Sequence, residues 1–404
     1  MRFLNQKLFI YTTLAAAPLY LVKFVFFQVP TNLLELFIFI NVIIWLRVCY
    51  KKKLKKIWFP LPWQIVLSIG FIIFGVILSI FANNAIFTGL GILKSWFVLP
   101  LFFAYILYST LNNSVEISQA LFSVYFSNIT VAIAGITYKI LDFVTYDGRL
   151  SAFYASPNYL ALYLAPGVLL GFYFFAQSLT SKASPLIKVL FGSSLAVILL
   201  VFFYTYSYAS WLAVLLSFLV TCFFYLPKKR FIAILVCFFT LIVVIFSQIH
   251  SPKFTDLIHT SERSSFSSRL MIWKASEKML AQNLILGIGP GNFQTKYLAL
   301  QPSFPLYLEW AVPQPHNIFL AFWLQTGLIG FIGFIFLISF VFHSLLHKIK
   351  LGATSGLLFS FFLYIILHGL VDTPFWKNDL AFLFWVFVAL YAVLLKFSLK
   401  IKTE

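Results

Sequence analysis

Twelve apolar runs punctuate the chain, at residues 8–29, 33–49, 63–82, 95–111, 119–141, 159–177, 189–206, 209–226, 231–249, 317–342, 353–371 and 379–396. A helix needs about 20 apolar residues to cross a bilayer, and each run supplies most or all of that length. The pattern predicts an all-α integral membrane protein of about twelve transmembrane helices. Most connectors are short and polar. The segment from Ser251 to Pro315 differs, because it is of mixed polarity and too long for an idle link. Within it Ser267 and Ser268 are placed to cap a helix over 269–282, Gly287 to Asn292 form a turn-rich stretch, and a second short helix is expected near 293–301. The organisation read from this pattern is nine spans in 1–250, one loop with short helices in 251–315, and three spans with a tail in 316–404.

Composition strengthens that reading. The chain of 404 residues is 62% hydrophobic, 20% aromatic and 10% charged, where a soluble domain carries about a quarter charged residues. The net charge of +18 invites a nucleic-acid reading. Lys and Arg nevertheless fall in short clusters between apolar runs and form no basic face, so they read as topology determinants. With a cytoplasmic N-terminus, eighteen Lys and Arg lie on the cytoplasmic side, against four (Lys94, Lys139, Arg149, Lys377) in the short outer loops. That bias follows the positive-inside rule. It predicts a cytoplasmic (inner) membrane protein with both termini cytoplasmic and the 251–315 loop extracytoplasmic. Cys49, Cys222 and Cys237 lie in or beside apolar runs without a C-x-x-C pair, which argues against a disulfide framework or a zinc site. Arg2 and Lys7 precede the first run as in a signal peptide, but that run is long and lacks a small-residue cleavage site, so a retained helix is expected.

The candidate chemistry gathers on one predicted face. Arg269 heads the predicted loop helix on the stripe of Ile272, Ser276 and Met279, where a guanidinium beside free N–H groups suits an anion. The alternative is that Arg269 snorkels or pairs with Glu262. GIGPGNF, from Gly287 to Phe293, looks like a dinucleotide loop, but no strand precedes it, and a rigid turn is the reading that remains. His316 and Asn317 follow Pro313 and Pro315 at the mouth of a span. An imidazole there is suited to take a proton from a hydroxyl, the alternative being an interfacial histidine bonded to water or headgroups. Arg149, Ser156, Pro157, Asn158, Asp372 and Lys377 fall in connectors of the same predicted side. No carboxylate cluster suits a divalent metal, there is no G-x-S-x-G, and no intramembrane acidic pair is present.

Taken in order, R-L-S-A-F-Y-A-S-P-N (149–158), S-R-L-M-I-W-K-A (268–275), G-I-G-P-G-N-F (287–293) and H-N-I-F-L-A-F-W-L-Q-T-G-L-I-G (316–330) resemble the O-antigen ligase and O-antigen polymerase superfamily. The resemblance covers about residues 145–380. It implies a GT-C-like, lipid-embedded fold and an inverting glycosyltransferase that needs no metal or cofactor. Such an enzyme takes a glycan from a polyprenyl diphosphate carrier to a glycan, lipid or protein acceptor, alongside other polysaccharide-assembly proteins and without nucleic acid. By motif match Arg269 would hold the diphosphate and His316 would deprotonate or orient the acceptor hydroxyl. Arg149, Arg263, Asn158, Tyr208, Gly289, Gly291, Asn292, Asn317 and Asp372 would contact diphosphate or glycan. One departure stands out: where many members carry a second arginine in a tight outer turn, this chain has Tyr208 in S-Y-A-S-W (207–211), and Arg149 or Arg263 is expected to compensate. Ligase and polymerase are not distinguished by these residues. A transporter or flippase, or a non-catalytic subunit of an export system, is the competing reading. Against a carrier stands the gathering of polar residues at one surface, since carriers place their sites near the midplane.

Overall fold

The computed structural model describes residues 2–26, 28–51, 61–84, 86–249, 251, 254–255, 265–304, 312–347, 349 and 352–400. Its helices are α1 (Arg2–Ala15), α2 (Leu33–Lys51), α3 (Trp63–Ala82), α4 (Ile86–Ile92), α5 (Leu99–Thr110), α6 (Ser114–Ile140), α7 (Pro157–Thr180) and α8 (Pro185–Tyr204). They continue as α9 (Tyr208–Tyr225), α10 (Arg230–Gln248), α11 (Ser265–Gln282), α12 (Phe293–Leu300), α13 (Ile318–His347), α14 (Ala353–Gly369) and α15 (Asn378–Lys400). A π-helical turn, Leu93–Val98, joins α4 to α5 in one continuous span. Ten described helical runs are long and apolar enough to cross a membrane, and α14 is a shorter apolar helix. The protein is an all-α polytopic membrane protein.

Eleven of the twelve predicted spans coincide with these helices. The first does not. The run expected as one helix over 8–29 is α1 up to Ala15, a 3-10 turn over Ala17–Leu21, and a hairpin of β1 (Lys23–Phe26) antiparallel to β2 (Val29–Asn32). Pro18 stops the helix because it lacks an N–H and its ring crowds the preceding turn, and the β-branched and aromatic residues of KFVFFQV then favour extended backbone.

The most enclosed spans are α15 and α7, with 83% and 78% of their apolar windows buried, whereas α10, at 17%, lies on the perimeter. Helix α3 packs along α13, and Gly75 and Gly330 make the contact close: a Cβ on Gly75 would sit 2.5 Å from the Gly330 nitrogen. Small residues at a crossing let two backbones approach within a bilayer, where van der Waals contact drives association. Helix α13 is interrupted at Gly327, whose φ of 67° and ψ of −179° break the helical run. The 285–288 backbone fills the break: Leu328 N donates to Ile285 O at 2.9 Å, and Ile288 N donates to Leu324 O at 2.6 Å. The groups freed by the break are thus satisfied by protein, as a non-helical segment at membrane depth requires.

Candidate functional site at one end of the bundle

The site is built where the mouth of α13 meets the connector between α14 and α15. Asn317 caps α13, its Oδ1 accepting from Phe319 N (2.9 Å) and Leu320 N (3.0 Å), the bonds an N-cap supplies. Its Nδ2 donates to Leu370 O at 3.0 Å, which fastens the helix mouth to the neighbouring connector. His316, one residue earlier, takes a left-handed φ of 47°. That conformation costs a non-glycine residue energy and is retained where the surroundings fix it. Here Trp273 Nε1 donates to His316 O at 3.3 Å. The imidazole Nδ1 meets Asp372 Oδ1 at 3.1 Å, with the His316 side chain 28% exposed and that of Asp372 only 3%. Thr373 N donates to the same oxygen at 2.8 Å. Burial alone would push the Asp372 carboxyl up, but His316 first, then His368 and Arg269, hold it well below the ordinary carboxylate range. Aromatic packing braces its connector: Phe375 lies 4.9 Å from Phe322 and 5.3 Å from Phe97, and Trp376 lies 5.7 Å from Trp96, ring to ring. The π-helical turn carries both Trp96 and Phe97.

Arg269 reaches this connector from α11, Nε donating to Val371 O at 2.7 Å beside Asp372. The helix presses Ile272, Ala275, Ser276 and Met279 into the protein, which is the face its spacing predicts. Its start is a correction. The described residues are already helical from Ser265, so Ser267 and Ser268 lie within α11 and do not cap it. At least one helical turn precedes Arg269, which therefore does not head the helix. Arg263 and Glu262 lie outside the described residues.

Arg149 comes from the connector between α6 and α7. Its Nε donates to Thr205 O at 2.8 Å and its Nη2 to Asn158 Oδ1 at 2.6 Å. The carbonyl that holds it belongs to the turn between α8 and α9, two residues before Ser207, so the guanidinium adjoins the turn where the resembling family carries its second arginine. Burial lowers the pKa of Arg149, Asp147 opposes that, and the Arg269 charge adds to it, so the two arginines feel one another. Tyr208 is close enough to Arg149 for each to act on the other's titration, and its hydroxyl bonds to Gln248 Oε1 (3.0 Å) and Ser251 Oγ (3.1 Å) while its ring packs on Trp211. Asn158 opens α7 behind Ser156, whose hydroxyl accepts from Asn158 N, with Pro157 at the first helical position.

The structure thus brings His316, Asp372, Asn317, Arg269, Arg149 and Asn158 to one end of the bundle. Gly289, Gly291 and Asn292 pack on other elements. Gly289 lies against Ser79 and Asn83 of the α3 end, Gly291 against Thr88 and Ile92 of α4, and Asn292 Nδ2 donates to Ile288 O. Lys377 was placed by the sequence only in a connector of this side, and His368 was not singled out there. Lys377 Nζ sits 3.8 Å from the ring centre of Tyr159, 4.8 Å from Tyr154 and 5.5 Å from Tyr20; burial lowers its pKa, and Asp379 counters that. His368 stands one turn before Asp372, and the spacing H-G-L-V-D at the end of an apolar run was the available signal. Among the described residues, no group of three or more His, Cys, Asp and Glu is placed to hold a metal ion.

These features define a polytopic helical membrane protein whose acid–base pair and two cations share one bundle end. Residues 193–335, from α8 through most of α13, match the family model described as O-antigen ligase, which supports the resemblance to the O-antigen ligase and polymerase family. The match supports an O-antigen ligase- or polymerase-type function in the broad sense. No curated protein matches the chain.

Proposed function

We propose that the protein is an inverting glycosyltransferase of the O-antigen ligase or polymerase type. It moves a glycan from a polyprenyl diphosphate carrier to an acceptor hydroxyl, without a metal ion, at the outer face of the inner membrane. The observation that carries the reading is the His316–Asp372 pair with Arg269 held on the adjacent Val371 carbonyl. With Nδ1–H donated to Asp372, the Nε2 lone pair is free to accept the acceptor's hydroxyl proton. As the acceptor oxygen bonds to the anomeric carbon, the bond from that carbon to the phosphate oxygen breaks. The electron pair leaves with the carrier diphosphate, opposite the incoming oxygen, which inverts the centre. The guanidinium groups of Arg269 and Arg149 suit the charge that develops on that leaving group. Arg149 takes the part of the family's second arginine, since Tyr208 carries no charge and Arg149 is anchored on its turn.

The test is transfer by the purified, reconstituted chain from a polyprenyl diphosphate-linked glycan with chelator present. Wild type should transfer, while His316→Ala and Arg269→Ala should lose about 100-fold or more, the scale of a general base or of an oxyanion-stabilising donor. No transfer from any carrier-linked donor of the native cell by the folded chain would overturn the reading and favour the transport or accessory alternatives.

A further inference from the structure

We infer that His368, sealed behind Asp372, is a positioning residue that holds the second carboxylate oxygen of Asp372 while the first serves His316; this rests on the transferase reading above. His368 ends α14 with its side chain turned into the protein, 1% exposed. Its Nδ1 lies 2.8 Å from the hydroxyl of Tyr364, one turn back, and that hydroxyl lies 3.4 Å from Ser210 Oγ of α9. Beyond the helix end, Val371 N and Asp372 N both donate to His368 O, at 3.0 and 2.9 Å, so the imidazole and the carboxylate are mounted on one backbone turn. Of the charges acting on the His368 ring, that of Asp372 is the strongest.

Two atoms in this cluster have no hydrogen-bond partner among the described residues and no solvent contact, Asp372 Oδ2 and His368 Nε2. Each is costly to leave unpaired in a dry site, which makes a sealed orphan a sign of a functional or alternate arrangement. The two are chemically complementary in one tautomer. If Nδ1 accepts the Tyr364 hydroxyl hydrogen, Nε2 carries the ring proton and faces a carboxylate as a donor; the opposite tautomer would set a lone pair against that anion. In the inferred arrangement Oδ2 pairs with Nε2 while Oδ1 keeps its bonds to His316 and Thr373. That pairing belongs to the moment when His316 accepts the acceptor's proton and its positive charge draws on Asp372. With Oδ2 held from behind, Oδ1 stays on Nδ1. Proton and charge both balance: His316 gains one proton, Asp372 keeps its charge, and His368 keeps its own proton and touches no substrate.

The experiment uses the reconstituted full chain with His368→Leu, which removes the N–H while filling the space, and His368→Gln, whose amide can place an N–H near the Nε2 position. The leucine variant should lower kcat about ten- to a hundredfold, the rate equivalent of one hydrogen bond to a charged group. KM for the donor should stay within about twofold, since no contact to substrate is lost. Glutamine should recover part of the rate, and leucine in an Asp372→Asn background should cost nothing further. A second reading needs no activity. The titratable and charged groups that face Asp372 and act on it are His316, His368 and Arg269. Removing His368 should make the acid-driven loss of thermal stability smaller and complete at a higher pH, and glutamine should restore it in part. Leucine that transfers like wild type with an unchanged acid profile would overturn the inference. So would equal losses in both variants that track loss of folded protein. A wild type that fails to transfer while the acid profile shifts as expected would sink the transferase reading and leave the positioning of Asp372 standing.

Discussion

At the scale of single residues, the His316–Asp372 contact makes two separable predictions. If Asp372 orients His316, Asp372→Asn should reduce transfer by about 100-fold or more, and the double variant with His316→Ala should be no worse than His316→Ala alone, since groups acting as a unit are not additive. Additive losses in a transfer assay would separate the two roles. The second prediction concerns stability. The carboxyl of Asp372 is held below its ordinary value, so the folded chain binds its proton more weakly than the unfolded chain. Its contribution is therefore complete above the ordinary carboxylate pKa of about 4 and is lost as pH falls through and below that value. Thermal unfolding in detergent should thus be shifted less by acidification in Asp372→Asn than in wild type between about pH 5 and pH 3. Equal acid sensitivity of the two proteins would mean that the His316 contact lends Asp372 nothing.

At the scale of elements, the interrupted helix α13 and the segment threaded into it can be tested through glycine. Gly287 has a φ of 65°, and a Cβ there would fall 2.4 Å from Leu324 O and 2.8 Å from Trp323 O, both backbone atoms. Gly148 has a similar φ of 71° with nothing within 4 Å. Gly148→Ala should cost only the left-handed penalty of about 1–2 kcal/mol. Gly287→Ala should cost clearly more by thermal unfolding, with transfer falling only as far as the folded fraction falls. Equal costs at both positions would show that the segment is not wedged into α13. This element shows why some of the fold was legible in the sequence and some was not. Apolar length marks a span whatever its neighbours, so eleven runs could be read directly, and Ser156–Pro157 and Asn317 were read as lying at span mouths, though their capping roles were not. The break at Gly327 depends on a partner segment about 40 residues earlier in the chain, and nothing near L-Q-T-G-L distinguishes it from an ordinary helical glycine. The hairpin was hidden because its residues are as apolar as a span, and only Pro18 and β-branched composition argue otherwise. At the site, His316 was legible because it stands beside prolines at the mouth of a span, and Arg269 because it heads a stripe of residues at helical spacing, although the serines read as its cap lie inside the helix. Asp372 was legible only as a polar residue in a connector, and its pairing with His316 across 56 residues is a product of packing.

At the scale of the whole molecule, the site residues lie on connectors that a regular alternation of spans brings to one end, and the side of the membrane that end faces is decided by charge. The connector between α7 and α8 carries Lys182 and faces the opposite end, which the positive-inside bias assigns to the cytoplasm. Cys49, Cys222 and Cys237 are all buried, so background reaction with a thiol reagent should be low. Two variants with one added cysteine each then read the orientation: Tyr146→Cys, at a fully exposed position in the connector that carries Arg149, and Lys182→Cys at the other end. On intact spheroplasts a membrane-impermeant maleimide should label the Tyr146→Cys protein and should reach the Lys182→Cys protein only after permeabilisation. Labelling in the reverse order would turn the His316 end toward the cytoplasm. The basic clusters would then lie outside against the membrane potential, and the donor would have to be a carrier-linked glycan on the inner leaflet, so the proposed reaction would have to be rebuilt from the acceptor side onward.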